Sequence, residues 1–275
     1  MLKAFSVASW NVEHFKGDPA RIERVITFLQ EQDPDVFALY EVEGKSVFGE
    51  LVKQRPRYNF HITEGPQTQE ILVGARGTLT SFFTQKVEFK SGVTFLRPGA
   101  LLTVTVAYRN YSILFLHTKS STKPVGLGIR DDMFERAFKF KKTLEKTAQK
   151  SGTSEPVNYL FLGDLNTMGM RYPFKRSIDA PIELKKLDAS AKKAGMRRLA
   201  KTHPVTWFNG SLSKFPPSDI DHVIAADHIA FKTLTGMTGA KGEVDVRGWP
   251  AAANPDKWIE EYSDHGLLYF EVQKS

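Results

Sequence analysis

The apolar positions near the start of the chain follow first a strand pattern and then a helix pattern. Residues 5–10 (Phe-Ser-Val-Ala-Ser-Trp) alternate weakly between apolar and polar and predict a strand. Asp18 then stands as an N-cap before Pro19, and apolar residues spaced i, i+3, i+4 and i+7 run from Ile22 to Leu29, which predicts a helix. The apolar run 36–40 predicts a buried strand. Strand, helix and strand in this order predict a crossover unit.

Similar patterns continue along the rest of the chain. Further strands are predicted over residues 70–75, 100–108, 112–116, 157–162, 220–226 and 267–272. A tight turn at Arg109-Asn110 is predicted to join the second and third of these. Helices are predicted from Asp132 to about Gln149 and from Pro181 to a stop at Gly195. No repeat or linker interrupts the pattern, so we expect one domain over residues 1–275.

Composition narrows the class of protein. The chain is 41% hydrophobic and 25% charged over 275 residues, as ordinary folded proteins are. It has no cysteine, which excludes a disulfide framework, thiolate metal sites and cysteine nucleophiles. The first residues lack the apolar run of a secretory signal, and no stretch approaches the ~20 apolar residues of a membrane span. We therefore expect a soluble, cytoplasmic protein without a membrane partner.

The net charge of +7 at pH 7 is unevenly placed. Ten basic residues and three acids lie between Arg171 and Lys201, so this stretch carries the whole excess. Arg171, Lys175 and Arg176 are candidates for contacts with a polyanion. The lysines after Pro181 fall opposite the apolar stripe of their helix and are interpreted as a solvated face.

Polar side chains stand at or beside the ends of the predicted strands. They are Asn11, Glu41, His117, Asp164, Asn166, Asp221, Asp264 and His265. Strand ends are where α/β proteins commonly build sites. Carboxylate and amide oxygens are the hard ligands that Mg²⁺ or Mn²⁺ prefers, and two histidines can supply acid/base chemistry. Together these residue types indicate phosphoryl-ester hydrolysis.

Each of these residues also has a structural explanation when taken alone. Asn11 can cap a turn, Glu41 can be a solvated strand end, and Asp164 with Asn166 can form an Asx-type turn. Asp221 is harder to explain in this way, because an unpaired carboxylate in an apolar run is costly. The joint occurrence of the set is what favours a site.

The motifs in chain order resemble the endonuclease/exonuclease/phosphatase superfamily, in its deoxyribonuclease I-like branch. The resemblance rests on residues 6–11 (Ser-Val-Ala-Ser-Trp-Asn), Glu41, 116–118 (Leu-His-Thr), 163–166 (Gly-Asp-Leu-Asn), 219–223 (Asp-Ile-Asp-His-Val) and 263–266 (Ser-Asp-His-Gly). It implies an α/β fold of two packed mixed β-sheets flanked by helices, a four-layer α/β/β/α sandwich.

The resemblance also implies roles for the acids and amides. Asn11, Glu41 and Asp264 correspond to the ligands of the principal divalent ion, Mg²⁺ or Mn²⁺. Asp164 and Asn166 correspond to the pair that positions the attacking water or a second metal ion and contacts the scissile phosphate.

The histidines and an arginine receive roles from the same resemblance. His265 corresponds to the catalytic histidine, oriented by Asp221. His117, with Glu70 as its carboxylate, resembles the second His/acid pair of the branch, and Arg97 its phosphate-contacting arginine.

Two residues depart from the family pattern. Tyr40 precedes Glu41 where a glutamine is common, and Asp219 stands two residues before Asp221 where nuclease branches often carry a basic residue. Neither departure removes a predicted ligand. The second bears on how closely a substrate strand is held at that point.

Further substrate contacts are expected from Lys119, Arg130 and Arg171. Trp207 and Phe208 can stack on a base, although core packing is the more frequent explanation for such rings.

The predicted function is that of a metal-dependent nuclease, a monomer that hydrolyses DNA phosphodiester bonds with little sequence preference. A phosphoesterase acting on a small-molecule or lipid-linked phosphate is the alternative with the same chemistry. A nucleic-acid-binding protein that kept the fold and lost catalysis is the third hypothesis. Glu41, Asp164, Asn166, Asp264 and His265 are all present, which speaks against the third.

Overall fold

Two mixed six-stranded sheets lie at the centre of the structure, a computed structural model that describes residues 2–65 and 69–274. The strands are β1 (Lys3–Phe15), β2 (Val36–Val42), β3 (Tyr58–Ile62), β4 (Glu70–Arg76), β5 (Thr80–Lys86), β6 (Gly99–Val106), β7 (Arg109–His117), β8 (Asn158–Asp164), β9 (Met196–Arg198), β10 (Asp221–Ala226), β11 (Leu234–Thr235), β12 (Lys241–Gly242), β13 (Asp245–Arg247) and β14 (Leu267–Gln273). The helices are α1 (Pro19–Gln32), α2 (Lys45–Gln54), α3 (Pro124–Lys150), α4 (Ala180–Lys193) and α5 (Pro255–Glu261).

Each sheet contains one parallel pair of strands joined by a crossover helix. The first sheet has the order β13-β14-β1-β2-β4-β3, and the second has the order β5-β6-β7-β8-β10-β9. The parallel pair is β1 with β2, connected by α1, in the first sheet and β7 with β8, connected by α3, in the second. Parallel neighbours require such a connection, as the sequence pattern predicted for β1 and β2.

The core has three layers of apolar contact. Phe5, Tyr40 and Phe115 belong to the cluster between the two sheets. A second cluster lies between the first sheet and α1, and a third lies between the second sheet and α3 with α4. These three layers confirm the predicted four-layer α/β/β/α sandwich. No helix within residues 2–65 and 69–274 is long and apolar enough to span a bilayer.

The weak alternation of β1 has a structural cause. Val7 faces the core between the sheets, whereas Ala8 and Trp10 face the layer covered by α1. Because both faces of the strand are buried, apolar residues are required on both. Ser9 reaches the inter-sheet layer and its hydroxyl lies 3.0 Å from the hydroxyl of Tyr40.

Helix α3 begins at Pro124, eight residues before the predicted start at Asp132. Gly126 and Gly128 weaken the helical pattern of this first part of the helix. The structure explains Gly126, because a Cβ there would lie 2.5 Å from the carbonyl oxygen of Ser121. The close contact between loop and helix therefore requires glycine at this position, although glycine has a low helix propensity.

The β6–β7 hairpin turns at Ala107 and Tyr108, and the predicted turn at Arg109-Asn110 is wrong. Val106 pairs with Arg109, so two residues form the turn. Both have left-handed backbone angles, with φ of 50° at Ala107 and 63° at Tyr108. Two-residue hairpins require such angles, which residues with a Cβ adopt at a cost.

We expect Tyr108→Gly to stabilise the protein by about 0.5–1 kcal/mol, because glycine relieves the strain of the left-handed backbone in the folded state. The greater flexibility of glycine in the unfolded chain offsets part of this gain. The urea midpoint measures this change. Tyr108→Ala is the control, since alanine keeps the Cβ and is expected to change stability less. Equal midpoints for the two variants would contradict the strain argument.

Candidate active site

The register of the strands brings the predicted site residues together at one end of both sheets. Asp164 ends β8 and is opposite His117 on β7 and Asp221 on β10. In the first sheet, Asn11 pairs with Tyr40, the residue before Glu41. The carboxyl ends of the two parallel pairs thus meet at the same edge of the sandwich, as expected for α/β sites.

A cavity of about 640 Å³ opens at this edge. Its floor is formed by Asn11, Glu41, His117, Asp164, Asp264 and His265. Its walls include residues 120–122, Asn166, Met168, Met170, Arg171, residues 177–180, Trp207 and Phe215. A cavity of this size falls within the usual range for ligand sites.

Asp164 lies at the centre of the cluster. Its Oδ2 accepts a hydrogen bond from Asn11 Nδ2 (2.9 Å) and lies 3.3 Å from His117 Nε2 and 4.0 Å from His265 Nε2. Its Oδ1 accepts from the backbone N–H of Asn166 (3.1 Å). Burial, together with the charges of neighbouring carboxylates, raises the pKa of Asp164 to about 7. A carboxylate in this position can accept a proton near neutral pH.

His265 is held by Asp221. The Nδ1 of the ring lies 2.9 Å from Asp221 Oδ2, and both residues are buried. Burial alone would disfavour the charged ring, but the carboxylates of Asp221, Asp164 and Asp264 raise the pKa of His265 well above its usual value. The histidine therefore carries a proton on Nε2, which lies 3.8 Å from Asp264 Oδ1. It is a positioned hydrogen-bond donor facing the cavity.

His117 has the opposite electrostatic character. Burial and the neighbouring Arg97 guanidinium hold its pKa well below the usual value, so the ring is neutral. Its Nε2 faces Asp164 and lies 3.7 Å from Glu41 Oε1. Its Nδ1 is buried without a hydrogen-bond partner among residues 2–65 and 69–274. The edge of the ring packs against Tyr40, with ring centroids 6.1 Å apart.

The predicted metal ligands offer oxygens that fit a hard divalent ion. Asp264 Oδ2 accepts from Trp207 Nε1 (2.6 Å), while its Oδ1 is buried with no donor in the described part of the chain. An orphaned, buried carboxylate oxygen beside Glu41 is what a bound cation would satisfy. Asn11 turns its Nδ2 toward Glu41 and Asp164, so ligation through its Oδ1 requires the amide to turn over.

A second grouping also has the spacing of a metal site. Donor atoms of Asp164, Asp221 and His265 lie within 4.8 Å of one another. The raised pKa of His265 and its bond to Asp221 favour a hydrogen-bonded network there, because a metal ligand must be the deprotonated ring. The set of Asn11, Glu41 and Asp264 therefore stays the predicted principal site.

The expected pairing of His117 with Glu70 is not formed. The Glu70 carboxylate accepts a hydrogen bond from Thr63 Oγ1 through its Oε2, and burial raises its pKa. Its Oε1 and the Nδ1 of His117 are both left without a partner within the described ranges. Glu70 instead binds Thr63, whose hydroxyl also accepts from the backbone N–H of Ile71 (2.9 Å).

Two of the predicted phosphate-binding arginines are buried behind the cavity. The Arg97 guanidinium bonds to the backbone and side-chain oxygens of Gln69 at 2.9 and 2.8 Å, and its Nη1 lies 3.5 Å from the carbonyl oxygen of His117. Arg130 is fully buried and forms two hydrogen bonds with Glu183, at 2.6 and 2.9 Å. Complete burial makes the expectation of direct substrate contact wrong for Arg130. Arg97 is not among the residues that line the cavity, and its role as a phosphate contact stays a prediction.

Arg130 instead shapes the cavity wall. Its remaining donors bond to the carbonyl oxygens of Lys119 (3.1 Å), Ser121 (2.8 Å) and Gly169 (2.8 Å). It thereby joins the loop after β7 to the loop after β8. Lys119 itself is half-buried and does not line the cavity, whereas Arg171 is exposed and does.

Sequence reasoning missed Lys201, which supports the site from behind. Its buried ammonium forms an ion pair with Asp219 and donates to the backbone oxygen of Asp221 (2.7 Å). Asp219, the acid found where a basic residue is common, is therefore neutralised within the fold. Trp207, considered as a base-stacking ring, holds Asp264 through its indole N–H, and Phe208 packs on Trp249.

The basic stretch divides into three parts. Lys186, Arg197, Arg198 and Lys201 form ion pairs with Asp131, Glu243, Asp188 and Asp219. Lys185, Lys192 and Lys193 are exposed on α4. Arg171, which lines the cavity, is exposed together with Lys175 and Arg176 on the segment before α4. These last three remain the candidates for contacts with a polyanionic substrate.

A four-layer sandwich with acids and histidines gathered at the shared strand ends defines the class of deoxyribonuclease I-like folds, whose members are generally phosphoester hydrolases. The chain belongs to the endonuclease/exonuclease/phosphatase family, whose model matches residues 8–265. No curated protein sequence matches the chain significantly.

Solved structures similar to this chain include one complexed with DNA and one named as a phosphatase. Truncated Caenorhabditis elegans TDP2 has a TM-score of 0.61 at 14% identity, covering 98% of both chains. D. rerio TDP2 complexed with single strand DNA product has a TM-score of 0.56 at 17% identity, covering 98% of this chain and 99% of that one. The Bacteroides thetaiotaomicron mannosyl-6-phosphatase Bt3783 has a TM-score of 0.58 at 14% identity, covering 98% and 100%. At such identities the likeness establishes the fold and leaves the substrate open.

Proposed function

We propose that this protein is a divalent-metal-dependent phosphodiesterase that hydrolyses DNA phosphodiester bonds with little sequence preference. The observation that carries the proposal is the buried Asp264 Oδ1, which has no donor in residues 2–65 and 69–274 and lies 3.8 Å from the protonated His265. Asp264 Oδ1 is an acceptor that a bound cation would satisfy, and His265 is a donor positioned for an anionic oxygen. This combination suits a phosphate ester.

The side chains divide the chemical work. Asp164, with its pKa raised to about 7, can take the proton of an attacking water. His265, fixed by Asp221, can donate a hydrogen bond to a phosphoryl oxygen as negative charge develops there. Glu41, Asp264 and Asn11 would hold Mg²⁺ or Mn²⁺, which neutralises phosphate charge and polarises the ester when bound.

DNA as the substrate is supported by the rim of the cavity. Arg171 lines the cavity, and Lys175 and Arg176 are exposed on the loop that begins with it, so the three offer positive charge to phosphates on either side of the reacting one. The acids, amides and histidines of the floor suit a phosphate and not the edge of a particular base, which favours little sequence preference.

A small phosphate ester is the second candidate. The cavity volume of about 640 Å³ suits a compact ligand. Several acidic residues line the cavity, whereas Arg171 is the one Lys or Arg among its lining residues. The similarity to a mannosyl-6-phosphatase is consistent with this alternative. A polyanion would meet less positive charge in the cavity than at its rim.

One substrate panel tests the proposal. The purified protein is incubated with single-stranded DNA, plasmid DNA, bis(p-nitrophenyl) phosphate and a sugar phosphate, each with Mg²⁺, Mn²⁺ or EDTA. We expect metal-dependent cleavage of DNA and of the chromogenic diester, and no turnover in EDTA. Turnover of the sugar phosphate alone would favour the second candidate, and DNA binding without turnover would favour a silent binding protein.

Metal binding is measured separately by isothermal titration with Mg²⁺ and Mn²⁺. Asp264→Asn is expected to weaken the affinity by at least about tenfold. Replacing a residue that only supports a metal ligand already lowers metal affinity by about this factor, and loss of a ligand should lower it no less. Asp131→Asn is the matched control, because Asp131 forms a surface ion pair with Lys186. Equal affinities for the two variants would contradict Asp264 as a ligand.

A further inference from the structure

A short loop leaves the cavity wall and returns to it. Residues 171–176 (Arg-Tyr-Pro-Phe-Lys-Arg) lie between Met170 and Ile178, which both line the cavity. These two residues exchange backbone hydrogen bonds of 2.7 and 2.9 Å, and Arg171 N donates to Thr122 O (2.7 Å). The ends of the loop are therefore fixed at the cavity mouth, while its tip extends outward.

The tip exposes aromatic rings that the fold does not use. Phe174 is 83% exposed and Tyr172 is 38% exposed, and the two rings contact each other edge to face with centroids 5.8 Å apart. Phe215, from the segment before Ser218, is 61% exposed and lines the same cavity. We call Tyr172, Phe174 and Phe215 the aromatic rim. Large exposed rings on segments that border a cavity indicate a binding function.

Positive charge accompanies the aromatic rim. Arg171 precedes Tyr172, and Lys175 and Arg176 follow Phe174. None of these three basic residues forms an ion pair in the part of the chain that the structure describes, in contrast to the paired Arg197, Arg198 and Lys201. Their charge is available to an anionic ligand.

Rings interleaved with basic side chains match the chemistry of a nucleic acid single strand, in which unpaired bases stack and phosphates bind cations. A duplex hides the faces of its bases. The ligand must also reach the floor of a cavity of about 640 Å³, which has room for a strand end or a splayed nucleotide.

We infer that the aromatic rim stacks unpaired bases of single-stranded DNA, or of a frayed DNA end, and places a phosphate of that strand at Asp164 and His265. This inference rests on the proposed function and deepens it, because it makes single-stranded DNA the preferred substrate over duplex DNA. Phe174 and Phe215 are the specificity-determining residues, and Arg171, Lys175 and Arg176 hold the backbone of the strand.

Binding is tested without catalysis by fluorescence anisotropy of a labelled oligothymidylate and of a blunt duplex, using the His265→Ala protein. Phe174→Ala and Phe215→Ala are each expected to weaken single-strand binding about five- to 150-fold, with little effect on the duplex. Phe174→Tyr is expected to retain the affinity, since it keeps a ring. Lys175→Gln is expected to lower the slope of log affinity against log salt by about 0.7.

Tyr108→Ala is the matched control. Tyr108 is another fully exposed aromatic residue, and it lies at the opposite end of β7 from His117. We expect unchanged DNA affinity for this variant. Turnover of bis(p-nitrophenyl) phosphate by Tyr108→Ala, measured in the otherwise unaltered protein, is expected to remain near the unsubstituted value.

The outcomes separate this inference from the proposed function. DNA cleavage with unchanged single-strand affinity in Phe174→Ala and Phe215→Ala would overturn the rim and leave the nuclease proposal intact. Turnover of the small diester without cleavage or binding of DNA would overturn both. Rim-dependent binding to phosphatidylserine vesicles, with no affinity for the oligonucleotide, would assign the rings to a membrane surface and overturn the inference.

Discussion

His265→Ala is expected to reduce kcat by roughly 10²–10⁴-fold, both on DNA and on bis(p-nitrophenyl) phosphate. The ring is held by Asp221 at 2.9 Å and directs its protonated Nε2 toward the carboxylates at the cavity floor. Its removal takes away the donor that faces a phosphoryl oxygen in the transition state. Steady-state kinetics at saturating Mg²⁺ measure the effect, and circular dichroism verifies that the variant is folded.

Two further variants sharpen this prediction. Asp221→Asn keeps the histidine but weakens its orientation and charge, so we expect a smaller loss of kcat than in His265→Ala. His228→Ala is the matched control, because His228 is exposed and its Nε2 lies 3.0 Å from Asn158 Oδ1, outside the site. Near-normal turnover by His265→Ala would exclude the catalytic role.

Arg130→Met is expected to lower the free energy of unfolding by about 3–5 kcal/mol, because Glu183 would be left charged and buried without its partner. Loss of the bonds to the carbonyl oxygens of Ser121 and Gly169 would add to the effect. Urea denaturation measures it. The double variant Arg130→Met/Glu183→Leu is expected to recover part of the loss, since it removes the uncompensated charge.

Kinetics distinguish this structural role from the expected substrate contact. If Arg130 touched the substrate, its replacement would raise KM without reducing stability. We expect the reverse, with a lower urea midpoint as the main effect. Lys185→Met is a suitable comparison, because Lys185 is an exposed cation on the neighbouring helix α4.

The centre of the site was predictable because strand pairing alone brings it together. Asp164, His117 and Asp221 are opposite one another in register, so residues far apart in the chain converge wherever these strands pair. The apolar runs of β2, β8 and β10 are strong signals, since buried strands need apolar residues on both faces. Site residues at their ends follow from the same pattern.

The partners of the charged side chains were not predictable in this way. Arg130 was expected to contact the substrate, but α3 already begins at Pro124, so Arg130 lies within the helix and reaches Glu183 of α4. Glu70 was expected beside His117, but its carboxylate accepts a hydrogen bond from the hydroxyl of Thr63, seven residues earlier in the chain. The partner of a charged side chain depends on side-chain distances across loops. The hydrophobic periodicity of the sequence carries no information about these distances.

The strands at the sheet edges were also missed. β3, β5 and β9 lie at sheet edges, and β13 is an edge strand of three residues. Edge strands pair on one side only and are partly exposed, so their apolar pattern is weak. The structure was needed to place them, and none of them carries a residue of the cavity floor.

The two ends of the chain are joined at the site. The Trp10 indole N–H donates to the carbonyl oxygen of His265 (2.9 Å), and Ser263 Oγ donates to the carbonyl oxygen of Asn11 (2.7 Å). Strand β14 pairs directly with β1. During synthesis, nearly the whole chain must therefore be made after Asn11, the first predicted metal ligand, before its partner Asp264 is added. A nascent chain that lacks this last segment has no complete site.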